Sequence, residues 1–318
     1  LYTNYLSMPE LGIVSNIYAL IAFVNILYSF GFDSAFMRFV NDDDRSTGSD
    51  TSNHARFVFA HAFVPIATLS AVASSVFVIF QAQLGPAAGL PPATLYLFPI
   101  IVLIPFFDAL TIIPFAHLRM QRRARRFASL KLLIVVVNIL LNILFVVYRR
   151  EGAHGVFMAG LLSSFLGFVL MLPSIGNGLR NVRHMLSWEQ LRRLAEFGMP
   201  TVPSGIASML LQVADRPILM ALTTTTIVGL YNANYRLAIP MMLLISVFEY
   251  AWKPFYLQHA RDNDAPQLFS RVFTYFNLAS ALVFITLTLF VDVVVRIPFP
   301  GGTLINASYW QGLHIVPI

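Results

Sequence analysis

Long apolar runs separated by short polar stretches dominate the chain. Each is close to the ~20 residues that a helix rising about 1.5 Å per residue needs to cross about 30 Å of hydrocarbon. The runs fall at Leu11–Val40, Phe57–Phe80, Leu95–His117, Leu130–Tyr148, Gly155–Gly176, Phe197–Ala221, Gly229–Trp252 and Val272–Val295. They predict an all-α, polytopic transmembrane bundle with about eight complete spans. A ninth run starts near Tyr309 and stops at Ile318, too soon to cross. Composition agrees, because 57% of the 318 residues are hydrophobic and 11% charged, against roughly 45–50% and about 25% in soluble domains. So few charges cannot cover a water-facing surface. There is no cysteine, hence no disulfide framework and no thiol nucleophile.

Charge then sets sidedness. The net charge of +6 comes from arginines and lysines gathered in alternate connections: Arg45 and Arg56, the run from Arg119 to Lys131, Arg180 to Arg193, and Lys253 to Arg271. The opposite connections hold only Arg149 and Arg150. The positive-inside rule makes the first set cytoplasmic, where it attracts anionic lipids, and it places residue 1 outside. Basic residues used this way imply topology, not nucleic-acid binding. A chain that begins outside and enters a span at once is expected to lack a first helix, with a cleaved signal peptide as the rival account. The Asp42–Asp50 loop is polar throughout, and 181–196 has the pattern of a basic amphipathic segment on the inner surface. The segment divides an N-terminal lobe, 1–180, from a truncated C-terminal lobe, 197–318. An echo supports two related halves: Gly12, Tyr18 and Leu20 return as Gly229, Tyr235 and Leu237. Parallel repeats of this kind are a transporter feature, with the binding site where the repeats meet.

Ionisable groups inside spans are the candidates for chemistry, since each costs ~2.5–3.5 kcal/mol or more unless it has a partner or a wet cavity. Asn25, Ser29 and Asp33 recur at intervals of four on one face of the first run, with Arg38 further toward the cytoplasm. Asp108 lies between Pro105 and Pro114, and Lys131, Asn138 and Asn142 share a face. Ser204, Ser208, Gln212 and Asp215 form another stripe, followed by Arg216, and Arg236 stands at a depth matching Asp215. These stripes can line a common cavity. An Asp215 to Arg236 ion pair either serves ligand or ion handling or merely locks two helices.

Enzyme patterns are absent from the sequence. Seven scattered histidines form no His-Glu-x-x-His pair, and there is neither a phosphate-cradling Gly-Lys-Ser/Thr loop nor a Gly-x-Ser-x-Gly elbow. His54 and His61 are a weak metal pair, so no catalytic or metal residue, and no cofactor, is assigned.

Three stretches carry a resemblance. Tyr5 to Ile13, Gly31-Phe32-Asp33-Ser34-Ala35-Phe36-Met37-Arg38-Phe39, and Val228 to Leu237 running on to Ala251-Trp252-Lys253-Pro254-Phe255 resemble the polysaccharide biosynthesis, or O-antigen (Wzx-like) flippase, family. That family shares a superfamily with the multidrug MATE exporters and the lipid II flippase. The resemblance implies two pseudo-symmetric six-helix lobes in the bacterial cytoplasmic membrane. It also implies alternating-access flipping of an undecaprenyl-pyrophosphate-linked oligosaccharide, coupled to protons or sodium ions. By their place in the motifs, Arg38, Arg216 and Arg236, with Asn25 and Gln212, are then the substrate-binding set. Asp215, Asp33 and Asp108 are the ion-coupling set. A guanidinium suits the first task because it stays charged and grips phosphate with two donors. The rivals are a MATE-like cation exporter and, from another class, a membrane glycosyltransferase or polymerase, for which no outer connection is long enough.

Overall fold

The computed structural model describes residues 2–43, 51–121, 123–180, 187–259, 264–299 and 302–310. The histidines, arginines and acidic residues expected in 44–50 and 181–186 lie outside these. After a short turn α1 (Tyr2–Tyr5), the helices are α2 (Met8–Ser29), α3 (Phe32–Asp43), α4 (Thr51–Ile79), α5 (Gln81–Ala87) and α6 (Phe98–Met120). Next come α7 (Ala124–Asn142), α8 (Gly152–Gly178), α9 (Trp188–Gly198), α10 (Thr201–Val213), α11 (Asp215–Leu222) and α12 (Thr225–Tyr235). The last are α13 (Ile239–His259), α14 (Ala265–Val295) and α15 (Ala307–Trp310). A two-residue hairpin, β1 (Pro298–Phe299) against β2 (Gly302–Thr303), follows α14. The protein is therefore an all-α, multi-pass membrane chain.

Among the described residues six helices are long and apolar enough to span a bilayer. They become up to seven if the pair Trp188–Val213 and Asp215–Leu222, bent by 59°, counts as one. Eight runs were expected; the two that are not single spanning helices are 197–221, which is the bent pair, and 229–252, while 11–40 still counts through α2 although it too is broken. The run 11–40 is not a single helix, because Phe30 (φ 47°) and Gly31 (φ 68°) both turn left-handed and separate α2 from α3. Ser29 seals that break: its hydroxyl donates to the Ile26 carbonyl at 2.9 Å and accepts the Gly31 amide at 3.4 Å. The run 229–252 is divided by a 3₁₀ turn, Arg236–Ala238. Pro240 has no amide to give the Arg236 carbonyl four residues back, so Ile239 donates to it in 3₁₀ fashion instead.

Two compact units divide the chain: Ile13–Thr224, and Leu1–Gly12 with Thr225–Ile318. In the first unit α6 is the central element and packs chiefly on α8 and α4. Apart from Asp108, Thr111 and its basic end it is apolar, and more than half of its residues are buried. Phe36, Phe59, Ala62, Ile66 and Ile113 are fully buried around it. The amphipathic α9 closes one end of the unit with Leu194 buried and Trp188 exposed. Its start is fixed by Ser187, whose hydroxyl caps the Gln190 amide at 3.2 Å. The Ser187 amide in turn donates to Nε2 of the fully buried His61 at 2.8 Å, while His61 Nδ1 bonds the Phe57 carbonyl at 2.8 Å. A carbonyl only accepts and an amide only donates, so the ring is neutral with its proton on Nδ1. His61 is thus a structural tie, and among the described residues no three metal-binding side chains converge.

In the second unit α2 begins with a capping box: Ser7 N and Oγ reach Glu10 Oε2 at 2.9 and 2.7 Å, and the Glu10 amide returns to Ser7 Oγ at 3.4 Å. The start of α2 crosses the start of α12 with almost no gap. A Cβ on Gly12 would stand 3.0 Å from the Gly229 nitrogen, and one on Gly229 would stand 3.0 Å from the Gly12 nitrogen. Each would also strike the carbonyl four residues before the other glycine, Thr225 in one case and Met8 in the other. The two glycines of the sequence echo therefore meet in a reciprocal contact. Small residues allow this approach, as in other membrane helix pairs. The segment is knitted to the chain beyond α14: Asn4 Nδ2 donates to Thr303 O at 2.9 Å, Tyr309 Oη to Leu6 O at 2.9 Å, and Asn234 Nδ2 to Tyr309 O at 3.0 Å.

Candidate functional site

Four polar places hold the predicted residues, three of them at or near an interruption of a helix and the fourth, around Asp108, inside the unbroken α6. The first is the break between α10 and α11. Pro217 removes the donor that the Val213 carbonyl would have used, and the chain bends there. Arg216 Nη1 takes the Gln212 carbonyl at 2.8 Å and Asp215 Oδ1 at 2.9 Å, while the Arg216 amide donates to the same Oδ1 at 3.0 Å. Asp215 stands in the first turn of α11, where the helix dipole favours an anion, and Arg216 serves the carbonyl end of α10. The side chains are 30% and 11% exposed respectively, so the pair is strongly shielded. Ser204, Ser208 and Gln212 remain exposed along one side of α10. The expected stripe ends at Gln212, because the bend puts Asp215 on a new helix.

Four helices of the same unit converge on Asp108. Its carboxylate is half-buried and lies near the Ser164 hydroxyl of α8, the Asn25 amide of α2 and the positive charge of Lys131 on α7. Asn25 Oδ1 is buried without a hydrogen-bond partner among the described residues. The Lys131 ammonium lies 4.2 Å from the centre of the Phe115 ring. Asn138 and Asn142 on α7 are engaged in hydrogen bonds. Asn138 Nδ2 donates to Ser163 Oγ at 2.8 Å and Asn142 Nδ2 to Asn138 Oδ1 at 3.1 Å, which fastens α7 to α8.

At the α9 end of the unit, the exposed Arg38 places its guanidinium carbon 4.4 Å from the Phe197 ring centre, a cation–π contact. Phe39 meets the same ring edge-on at 6.2 Å. Asp33 stands in the first turn of α3, beyond the Phe30–Gly31 break, so it does not share a straight helical face with Asn25. A Cβ at Gly31 would collide with the Gly198 carbonyl and Thr201 Oγ1, which keeps this corner glycine-specific.

Arg236 lies in the other unit, in its 3₁₀ turn, exposed and 5.5 Å from the centre of the Tyr2 ring. Burial raises the Tyr2 phenol above its ordinary range, and the charge of Arg236 offsets part of that rise. Beside Arg236 is a cavity of about 370 Å³ lined by Thr3, Leu237, Pro240, Leu287, Val291, Val294, Leu304 and other apolar side chains. Asp215 and Arg236 belong to different units, and each has local company in its own.

Sequence reasoning missed the meeting of Asn25 with Asp108, the Tyr2 contact and the cavity, which are tertiary events without a local signature. The interruption at Arg236 did have a signal, since Pro240 stands four residues after it.

A family profile described as "Polysaccharide biosynthesis protein" matches residues 4–300. No curated protein and no solved structure matches the chain.

Proposed function

Because the chain belongs to the polysaccharide biosynthesis protein family, we propose that it moves an undecaprenyl-pyrophosphate-linked oligosaccharide from the cytoplasmic to the outer leaflet of the bacterial inner membrane. It acts as a transporter by alternating access, coupled to a proton or sodium gradient, and not as an enzyme. One observation supports this beyond membership: apart from Asp108, which lies inside the unbroken α6, the charged candidates stand at or near interruptions of helices. Asp33 opens α3 after the Phe30–Gly31 break, Asp215 and Arg216 open α11, and Arg236 occupies the 3₁₀ turn before α13. Discontinuous helices expose backbone ends at membrane depth and are the places where transporters bind substrates and ions. The reciprocal Gly12–Gly229 crossing supports a two-fold relation between the repeats, because an isologous contact pairs equivalent residues.

In this reading Arg236, Arg216 and Arg38 attract the pyrophosphate or acidic sugars, with Gln212 and Asn25 as neutral partners. Asp215, or Asp108 with its Lys131 neighbour, or Asp33, exchanges the coupling ion, and anionic lipids gather at the basic inner connections. Arg236→Ala should abolish glycan export in a complementation assay while leaving the protein in the membrane, and normal export would remove Arg236 from the substrate path. Export in vesicles should lose its response to a pH gradient in Asp215→Asn. An unchanged response would transfer coupling to Asp108 or Asp33.

A further inference from the structure

The cavity beside Arg236 suits only one part of a lipid-linked sugar. Its walls are Pro240, Leu287, Val291 and Val294, roofed by Leu304, and its volume of about 370 Å³ is within the ~300–1,000 Å³ range of small-molecule sites. The Thr3 hydroxyl at its edge is turned to the Leu304 carbonyl at 3.5 Å, and among the described residues on its lining the guanidinium of Arg236 is the one charge. Sugar hydroxyls placed there would lose water and gain few partners, a cost of ~1–3 kcal/mol for each unpaired group. A free anion would meet the charge of Arg236 but leave the apolar walls unused. A hydrocarbon chain that ends in a phosphate uses both.

We propose that this chamber holds the phosphate-proximal carbons of an isoprenoid chain, with Arg236 gripping the phosphate to which the chain is attached. The choice of an isoprenoid rests on the flippase reading above. The added content is that Arg236 reads the lipid anchor and not the sugar. Leu287 to Val294 form the last turns of α14, on the side that the distribution of basic residues makes the outer one, so the chamber receives the anchor as it arrives in the outer leaflet. Specificity for the glycan must then be set elsewhere, and proteins of different sugar preference can share this chamber chemistry.

The test uses the full chain in phosphatidylcholine nanodiscs, with affinities for farnesyl pyrophosphate, farnesol and inorganic pyrophosphate measured side by side. Burying as little as two methylenes gains about tenfold in affinity, so farnesyl pyrophosphate should bind at least about tenfold more tightly than inorganic pyrophosphate. Filling the chamber with Leu287→Trp, or with the smaller change Val291→Phe, should erase that preference and leave pyrophosphate binding intact, which also shows that the variant is folded. Arg236→Gln should weaken both phosphates about tenfold or more, because hydrogen bonds to charged groups are worth ~1.5–3 kcal/mol, and leave farnesol unchanged. A farnesyl preference that is missing from the unmutated protein, or that survives both filled variants, overturns the proposal. Glycan export by the unmutated protein separates the two readings. Export without farnesyl preference sinks the chamber alone, whereas farnesyl preference without export sinks the flippase reading.

Discussion

Alanine at Gly229 gives a sharp test of the reciprocal helix crossing, because intrinsic helix propensity and packing predict opposite signs. In an ordinary helix interior, Gly→Ala stabilises by about 1 kcal/mol. Here the added methyl would strike the Met8 carbonyl and stand 3.0 Å from the Gly12 nitrogen, both backbone atoms that cannot rotate aside. Overpacking of this kind costs about 1–3 kcal/mol, so the net expectation is destabilisation of up to about 2 kcal/mol. Gly12→Ala meets the mirror-related obstacle, the Thr225 carbonyl and the Gly229 nitrogen, and should cost a similar amount. Once one methyl has pushed the helices apart, the second enters space already opened. The double variant should therefore be less damaging than the sum of the singles by about 1 kcal/mol or more, within the range for contacting residues. Unfolding of the purified protein in mixed micelles measures all four species. Stabilisation by either alanine, or strict additivity, would refute the close crossing.

Two further outcomes follow from the hydrogen bonds. His61→Leu removes the acceptor for the Ser187 amide at the start of α9; an unsatisfied donor costs about 1–3 kcal/mol, so hydrogen exchange at Ser187 should speed up about tenfold or more, and unchanged protection would dismiss His61 as the tie. Tyr309, buried and near Glu10, has its phenol pushed up to about 12 from 10.0. A folded-state value above the unfolded one means the contribution is complete below about 10 and is lost as pH rises toward 12, so Tyr309→Phe should flatten the alkaline loss of stability, and an identical pH profile in the variant would contradict this.

The apolar runs made the membrane helices legible, since lipid imposes length and composition directly on sequence. The interruptions were less legible. Phe30 and Gly31 lie inside an uninterrupted apolar run, so hydropathy carries through a break that only backbone conformation creates. That break is also why Asn25 and Asp33, four-residue partners through Ser29 in the sequence, end on different helices. The polar stripe on α7 was visible, but periodicity cannot tell a cavity lining from glue, and Asn138 and Asn142 turned out to bond α8 and each other. Asn25 and Asp108, read as separate substrate and coupling residues, lie near one another because the fold sets α2 and α6 around a common cavity, and no local rule encodes that pairing. The echo of Gly12 in Gly229 was readable, whereas their meeting required the fold.

The central claim is tested most directly by reconstituting the full chain in liposomes with a fluorescent polyprenyl-pyrophosphate oligosaccharide and following its appearance in the opposite leaflet. Transport that needs the protein, responds to an imposed ion gradient and falls to background with Arg236→Ala is the predicted result. Leaflet exchange no faster than in protein-free liposomes would contradict it.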